Sequence, residues 1–403
     1  MSAIRSALVV GGGIAGPVVA TALLEAGIEA QVHEAYPGPS DGIGSGLALA
    51  PNGVAALDLL GAGDRVRAIA TPVTGMILSV GGRHHRLPTV ADEPPLQVVD
   101  RAELHRVLHE HAVAAGVPFH YGKRLVGAES DATGVTARFA DGSTATADVL
   151  IGADGVRSTV RGIIDPDAPG PQYTGLLGFG ATIECAIDTP ADAMVFAYGK
   201  RAYYLYWSDG DGRVGWGANL PHKQYLSLTE ARAVPAERWL AILRETYGAD
   251  TPGGELARRT RRDQLEVVGG LHIMPPVPRW YRDRMVLVGD AVHAPSNSSG
   301  QGASLAVESA VQLARCLRDL PDPGAAFAAY ERLRRTRVEG IAARAARINR
   351  SKAPGPVGRA MMNLLMPLLV RTVMKPDEKV AGERSYRIEW DAPVPGEPES
   401  GRP

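Results

Sequence analysis

The chain has 403 residues, enough for two domains. It is 45% hydrophobic and 22% charged, the make-up of a folded globular protein, and its formal net charge of −1 offers no basic field for nucleic acid or an anionic membrane. The two cysteines, Cys185 and Cys316, are far apart and lack metal-ligand spacing, so they read as inert thiols and no metal site is expected.

In chain order, the first feature is an apolar run from Ala7 to Gly27, about as long as a membrane span. It opens with a β-type stretch, Ala7 to Val10, and then carries Gly11, Gly12 and Gly13 in succession, which suits a strand-to-helix turn and not a helix interior. No basic segment or cleavage site frames it as a signal peptide, so a cytoplasmic protein without membrane contact is expected. Residues 5–35 therefore read strand, turn, helix, strand. Helical periodicity follows over 50–70 and 101–115, then strands near 124–130, 134–140 and from Ala145 to Ile151. From 173 to 220 short β-type runs with Asp-Gly turns replace the helices, which predicts an antiparallel sheet. Helix is expected at 229–248, a strand near Leu265 to Val268, and a strand at Met285 to Val288 before helices at 302–318 and 324–349. The apolar run Met361 to Met374 reads as a further helix, bracing the two domains or lying on a membrane surface. The expected fold is α/β: a discontinuous Rossmann-like domain (1–72, 99–172, 276–350), an inserted sheet domain (173–275, joined by a strand pair from 73–98), and a C-terminal helix and tail (351–403).

Three segments carry chemistry. Gly11-Gly12-Gly13-Ile14-Ala15-Gly16 stands between strand and helix and satisfies G-x-G-x-x-G. Gly11 permits the tight turn, Gly13 the approach of a phosphate, and Gly16 close packing of helix on strand. Glu34 ends the second strand, where a carboxylate accepts from ribose hydroxyls. This predicts a dinucleotide without distinguishing FAD from NAD. The second segment runs from Ile151-Gly152-Ala153-Asp154-Gly155 to Arg161, with Asp154 a cofactor contact or a helix cap. The third is Gly289-Asp290-Ala291-Val292-His293-Ala294-Pro295, continuing through Gly300-Gln301-Gly302-Ala303 into a helix. Asp290 can accept from a ribityl hydroxyl, and the helix start can stabilise negative charge on a flavin pyrimidine ring. His293 reads as structural, and no catalytic side chain is assigned.

Together these motifs resemble those of the class A flavoprotein monooxygenases, the para-hydroxybenzoate hydroxylase-like group, over roughly residues 5–320. The resemblance implies that Arg101, in Asp100-Arg101-x-x-Leu104, contacts the flavin diphosphate or ribityl region, that Leu125 touches adenine, and that Gly44-Ser45-Gly46-Leu47 is the loop beside a mobile flavin. Ser45, Gly46 and Ala35 join the cofactor set on that basis. It also implies the reaction: NADPH or NADH reduces FAD, O₂ forms a flavin C4a-hydroperoxide, and one oxygen passes to an apolar, aromatic or polyketide-like small molecule by hydroxylation or epoxidation. Where the family often has two prolines after the histidine, this chain has Pro295-Ser296-Asn297.

The stretch 196–216 is dense in aromatics, which suits a planar-ligand pocket and equally a packed sheet. Tyr204, Tyr206 and Trp216, with Leu47, Leu49 and Pro295 near the flavin, are the substrate-contact candidates. The alternatives are an oxidase or reductase of the same fold, or a flavin-binding protein without turnover, as monomer or homodimer.

Overall fold

The computed structural model describes residues 4–39, 46–89, 92–351, 361 and 378–395. Two sheets organise it. In the first, Ser6–Val10 pairs in parallel with Glu29–His33 on one side and Val149–Gly152 on the other; Phe119–His120 and Met285–Leu287 extend it, and antiparallel Tyr281–Arg282 closes the edge. Its inner strands read as continuous apolar runs because both faces are covered. Helix Ala15–Glu25 packs against the strand it leads into and against helices Arg101–Ala114 and Gly302–Asp319. A three-stranded antiparallel sheet, Leu125–Ser130, Val135–Phe139 and Thr144–Ala147, adjoins the strand layer.

The expected single strand from Ala145 to Ile151 is two strands in two sheets, Thr144–Ala147 and Val149–Gly152. Asp148 makes the corner: its Oδ2 accepts from the backbone N–H of Arg5 at 2.8 Å and Ser6 at 3.0 Å, tying the turn to the start of the first strand.

The second sheet has seven strands in the order Glu266–Ile273, Gln172–Glu184, Arg213–Pro221, Tyr203–Ser208, Ala193–Tyr198, Gly75–Val80 and Arg83–Arg86. All neighbours are antiparallel except Ala193–Tyr198 and Gly75–Val80, which is how the early strand pair joins the later sheet. Helices Leu228–Ala233, Ala236–Tyr247 and Gly253–Arg259 follow the sheet strands, and the last two supply Trp239, Leu243, Tyr247 and Leu256 to an apolar cluster on one sheet face. A small sheet of Leu47–Leu49, Leu96–Val99 and Thr71–Val73 stands at the other face.

The chain then runs through Gly302–Asp319 and the long helix Pro323–Ser351 to Glu378–Arg384. Of the Met361 to Met374 run only Met361 is among the described residues, so the expected bracing helix lies outside them. Among the described residues no helix is long and apolar enough to cross a membrane.

Candidate active site

The glycine loop is built by steric necessity. Gly11 has φ +104°, and a Cβ there would lie 2.5 Å from the Ala153 carbonyl oxygen. A Cβ on Gly16 would lie 2.0 Å from the Gly11 carbonyl oxygen. Gly13 is different, because nothing of the chain comes within 4 Å of its Cβ position. Two glycines are thus required by the fold and one faces open space. Ile14 and Ala15 start the helix with no side-chain cap and no acidic residue in its first turn, so its backbone donors are free for a phosphate. Glu34 is buried beside this loop; Oε2 accepts from Gly12 N–H at 2.6 Å and Oε1 from Tyr36 N–H at 2.8 Å. Ala35 is half-buried next to it. Lys123 N–H donates to the Glu34 carbonyl at 2.7 Å, which draws the start of the strand that opens with Leu125 to the same end of the site.

His33, one residue before Glu34, is 4% exposed and stacked between His120 and Phe139, with ring centroids 4.8 and 4.7 Å away. Both its ring nitrogens are buried without a hydrogen-bond partner. Burial first, then the charges of His120 and Lys123, lower its pKa from 6.5 to about 4. The unfolded chain therefore binds this proton first, so His33 makes stability fall as pH drops from 6.5 towards 4. His33→Phe, which keeps the stack and loses no hydrogen bond, is expected to flatten that part of the acid limb in denaturation curves taken between pH 7 and 4. Parallel curves for the two proteins would refute this.

Asp154 acts as a cap: Oδ2 accepts from Thr159 N–H at 2.7 Å and Val160 N–H at 3.1 Å. Its Oδ1 is buried without a partner, and burial raises its pKa despite those bonds. Arg161 is also structural. It donates to the Ala291 carbonyl at 2.9 Å and the Val156 carbonyl at 2.9 Å, locking the Asp154 segment to the Gly289-Asp290 segment. Gly289 turns the chain with φ +62°. Asp290 keeps an accessible side chain, yet the crowding around it raises its pKa, opposed by the Arg101 guanidinium. Arg101 is exposed at its helix start, where Asp100 caps Ala102 and Glu103. Gly300 (φ +59°) has open space at its Cβ position, and Gly302 and Ala303 begin the next helix without a side-chain cap. Half-buried Pro295 stands over that turn, 4.0 Å from the Cβ position of Gly302. His293 is buried, its Nε2 2.9 Å from Ser309 Oγ, and burial lowers its pKa to about 3, so it remains neutral. Ser45 lies outside the described residues.

The substrate candidates need correction. Tyr204, Tyr206 and Trp216 all point to the sheet face covered by helices, opposite the face from which Asn219 reaches the loop at Asn297. Trp216 Nε1 donates to Thr260 Oγ1 at 3.1 Å, and the Tyr204 hydroxyl accepts from Gly253 N–H at 3.3 Å. Leu49 is 0% exposed in the core of the parallel-sheet domain, and Leu47 packs against that core. The residues between them in register face the other way. Ala48, Phe196, Leu205 and Trp207 pack against a cluster of Ala50, Val73, Leu96, Val98 and Met194. The Trp207 ring lies over Gly215, whose Cβ position is 2.2 Å from Cζ2, and against Gly46, at 2.9 Å from Cη2. Asn219, on the same face as Gly215, accepts at Oδ1 from Asn297 Nδ2 at 3.3 Å, joining the sheet to the loop after Pro295. Glu266 alternates with Val267 of the helix-side cluster, and burial, then the charge of Asp100, raise its pKa to about 7. Trp207 belongs to the aromatic stretch 196–216 without being one of the three contacts chosen from it, and Glu266 carries no signal in the sequence.

The family model described as "FAD binding domain" matches residues 5–239 and 255–345. The chain belongs to this FAD-binding family. Its relatives place it in the para-hydroxybenzoate hydroxylase-like class of flavoprotein monooxygenases. It is 32% identical over 354 residues to the 3-amino-4-hydroxybenzoate 2-monooxygenase PtmB3 of Streptomyces platensis, covering 83% of this chain and 85% of that protein. It is 29% identical over 349 residues to the FAD-dependent urate hydroxylase of Klebsiella pneumoniae, covering 84% and 88%. The crystal structure of Klebsiella pneumoniae HpxO complexed with FAD and uric acid superposes with a TM-score of 0.80 at 26% identity, over 94% of this chain and 96% of that one. The residues fit the cofactor of this FAD-binding family. The free space at Gly13 suits a phosphate, the Glu34 carboxylate a ribose, the nearby opposite charges of Asp290 and Arg101 a polar ribityl chain, and the open Gly300 turn a ring edge.

Proposed function

We propose that this FAD-dependent monooxygenase adds one oxygen atom to a small planar aromatic or heteroaromatic molecule, with NADPH or NADH as electron donor. The observation that carries the substrate class is a wall, the half-buried apolar face of Phe196, Leu205 and Trp207, whose Trp207 ring lies against Gly46 and which shares its side of the sheet with Asn219, the residue tied to the loop after Pro295. Flat apolar side chains on a rigid strand pair bind a flat ring and keep water from it. The urate and aminohydroxybenzoate of the relatives named above are substrates of that shape.

When bound, FAD supplies hydride acceptance and activation of dioxygen. The chain's own part is positioning and exclusion of water. Gly13 and the helix behind it receive the diphosphate, and Glu34 holds a ribose. Asp290 and Arg101 orient the ribityl chain, and Pro295 with the Gly300–Gly302 turn backs the ring. No described side chain in the wall is a nucleophile, which suits a reaction whose chemistry belongs to the cofactor.

NAD(P)H oxidation, O₂ uptake and product mass, measured with the purified protein against a panel of hydroxylated benzoates, purines and pyridines, test the reading. The expected result is substrate-stimulated O₂ uptake and a product heavier by one oxygen atom. No NAD(P)H consumption with any compound, or only substrate-independent peroxide, would overturn it. Trp207→Ala is expected to retain FAD and to lower kcat/KM by about fivefold or more, the equivalent of losing one aromatic contact. Unchanged kcat/KM would remove Trp207 from the wall.

A further inference from the structure

A buried polar chain leads from the long C-terminal helix to the Gly300–Gly302 turn, and only one assignment of donors and acceptors agrees with its ionised carboxylate, although it leaves Asn52 Oδ1 buried without a partner. Glu308 and Arg334 are both 0% exposed, with Arg334 Nη1 at 2.6 Å from Glu308 Oε2. Arg337 donates to the same carboxylate from Nε at 2.9 Å and Nη2 at 2.8 Å. Burial works against this charge, but the two guanidiniums outweigh it and keep the Glu308 pKa below its usual range. Arg337 Nη2 also donates to the Glu383 carbonyl at 2.5 Å, anchoring the outer end of the chain in the segment Glu378–Arg384.

An ionised carboxylate only accepts. Asn52 must therefore turn its NH₂ to Glu308 Oε1, at 2.6 Å. The same nitrogen lies 3.1 Å from the side-chain amide of Gln301. A second NH₂ there would set donor against donor, so Gln301 presents its oxygen. Its own NH₂ is then directed away from the chain of bonds. No described residue accepts from it, and it is not among the buried unpaired polar atoms. Gln301 directly follows the open Gly300 turn.

We propose that Asn52 is a positioning residue: backed by Glu308, it holds the Gln301 amide as a hydrogen-bond donor towards an acceptor on the pyrimidine ring of the flavin, and so favours reduced over oxidised FAD. The sign follows from charge. Reduction adds electron density to that ring, and a pre-aimed donor stabilises the more negative form. The hydroxyl-free relay cannot reverse, because Arg334 and Arg337 fix its far end. This inference rests on the Gly300–Gly302 turn being the seat of the pyrimidine ring.

The test compares wild type, Asn52→Leu, Gln301→Leu and the double variant, reading the dissociation constant for oxidised FAD by fluorescence and the midpoint potential of bound FAD. Thermal melts report folding. Asn52→Leu is expected to reduce the preference for reduced FAD about tenfold, which is about 30 mV more negative for a two-electron couple. Gln301→Leu should give a similar shift, and the double variant no more than either single one. If Asn52→Leu does not fold, Asn52→Ala, which removes the same donors with less bulk, is read instead. An unchanged potential, or shifts that add in the double variant, overturns the role of Asn52. Failure of wild-type protein to bind FAD would overturn the seat itself, and the inference with it.

Discussion

A chain carrying Gly13→Val is expected to fold and to lose affinity for FAD by about a hundredfold or more, a change of about 2.8 kcal/mol. The expectation follows from what each loop glycine faces. At Gly13 an added Cβ meets no atom of the chain within 4 Å, and its φ is not in the left-handed region, so valine is accommodated in the protein. The same side chain fills the space a phosphate needs and keeps it off the N–H groups of the helix that starts at Ala15. Gly16→Val sets the contrast. Its Cβ would sit 2.0 Å from the Gly11 carbonyl oxygen, so the loop itself must break and both melting temperature and FAD binding should fall. Fluorescence titration with FAD, alongside thermal melts of the two apoproteins, separates the cases. Gly13→Val protein that binds FAD like wild type would show that the phosphate lies elsewhere.

The parallel sheet and its glycine turns were readable in the sequence because their constraints are local. A strand buried on both faces must be apolar throughout, and a turn that brings Gly11 within reach of Ala153 admits no side chain. The Asp148 corner was not readable. A continuous β-type run looks the same whether it stays in one sheet or crosses to another, and the carboxylate that makes the corner is bound by residues more than a hundred positions away. Asp154 was readable as a cap or a cofactor contact, and the geometry shows the capping bonds.

The aromatic candidates fall on a different sheet face from the proposed substrate wall, for a physical reason. Along the strand Tyr203–Ser208, Tyr204 and Tyr206 share one face and Leu205 and Trp207 the other, as period 2 requires, but both faces of this sheet are covered. One meets the helices from Ala236 to Arg259 and the other the small sheet beside Gly46. Aromatic density marks a packed face, and here the denser face is the one under the helices. The useful signal was glycine. Gly46 and Gly215 are small because the Trp207 ring occupies their Cβ positions, a relation between residues far apart in sequence. Leu47 and Leu49 went the same way: they share one strand face, and Ala48 between them has the other.

Arg334→Leu is expected to destabilise the apoprotein by about 3–5 kcal/mol, because it leaves an ionised carboxylate buried without its nearest partner. Glu308 is 0% exposed and cannot reach water, while Arg337, at 14%, holds only the outer side of it. The loss extends to Ser309, which accepts from Arg334 Nε at 3.2 Å and also supports the His293 ring. The pH dependence has a definite sign. With Arg334 present the Glu308 pKa is depressed, so its stabilisation is complete above the carboxylate range and is lost as pH falls through the folded-state value. Without Arg334 the upward push of burial meets less opposition, and protonation relieves the variant before it harms the wild type. Urea denaturation should therefore show the largest difference between the two proteins near neutral pH, narrowing towards pH 4. A difference below about 1 kcal/mol, the range of an exposed pair, would show that the site is not dry. The companion variant Arg334→Leu with Glu308→Leu removes the stranded charge along with its partner and should recover much of the lost stability. It also takes away the carboxylate that orients Asn52, so it should regain the fold while keeping the weakened preference for reduced FAD.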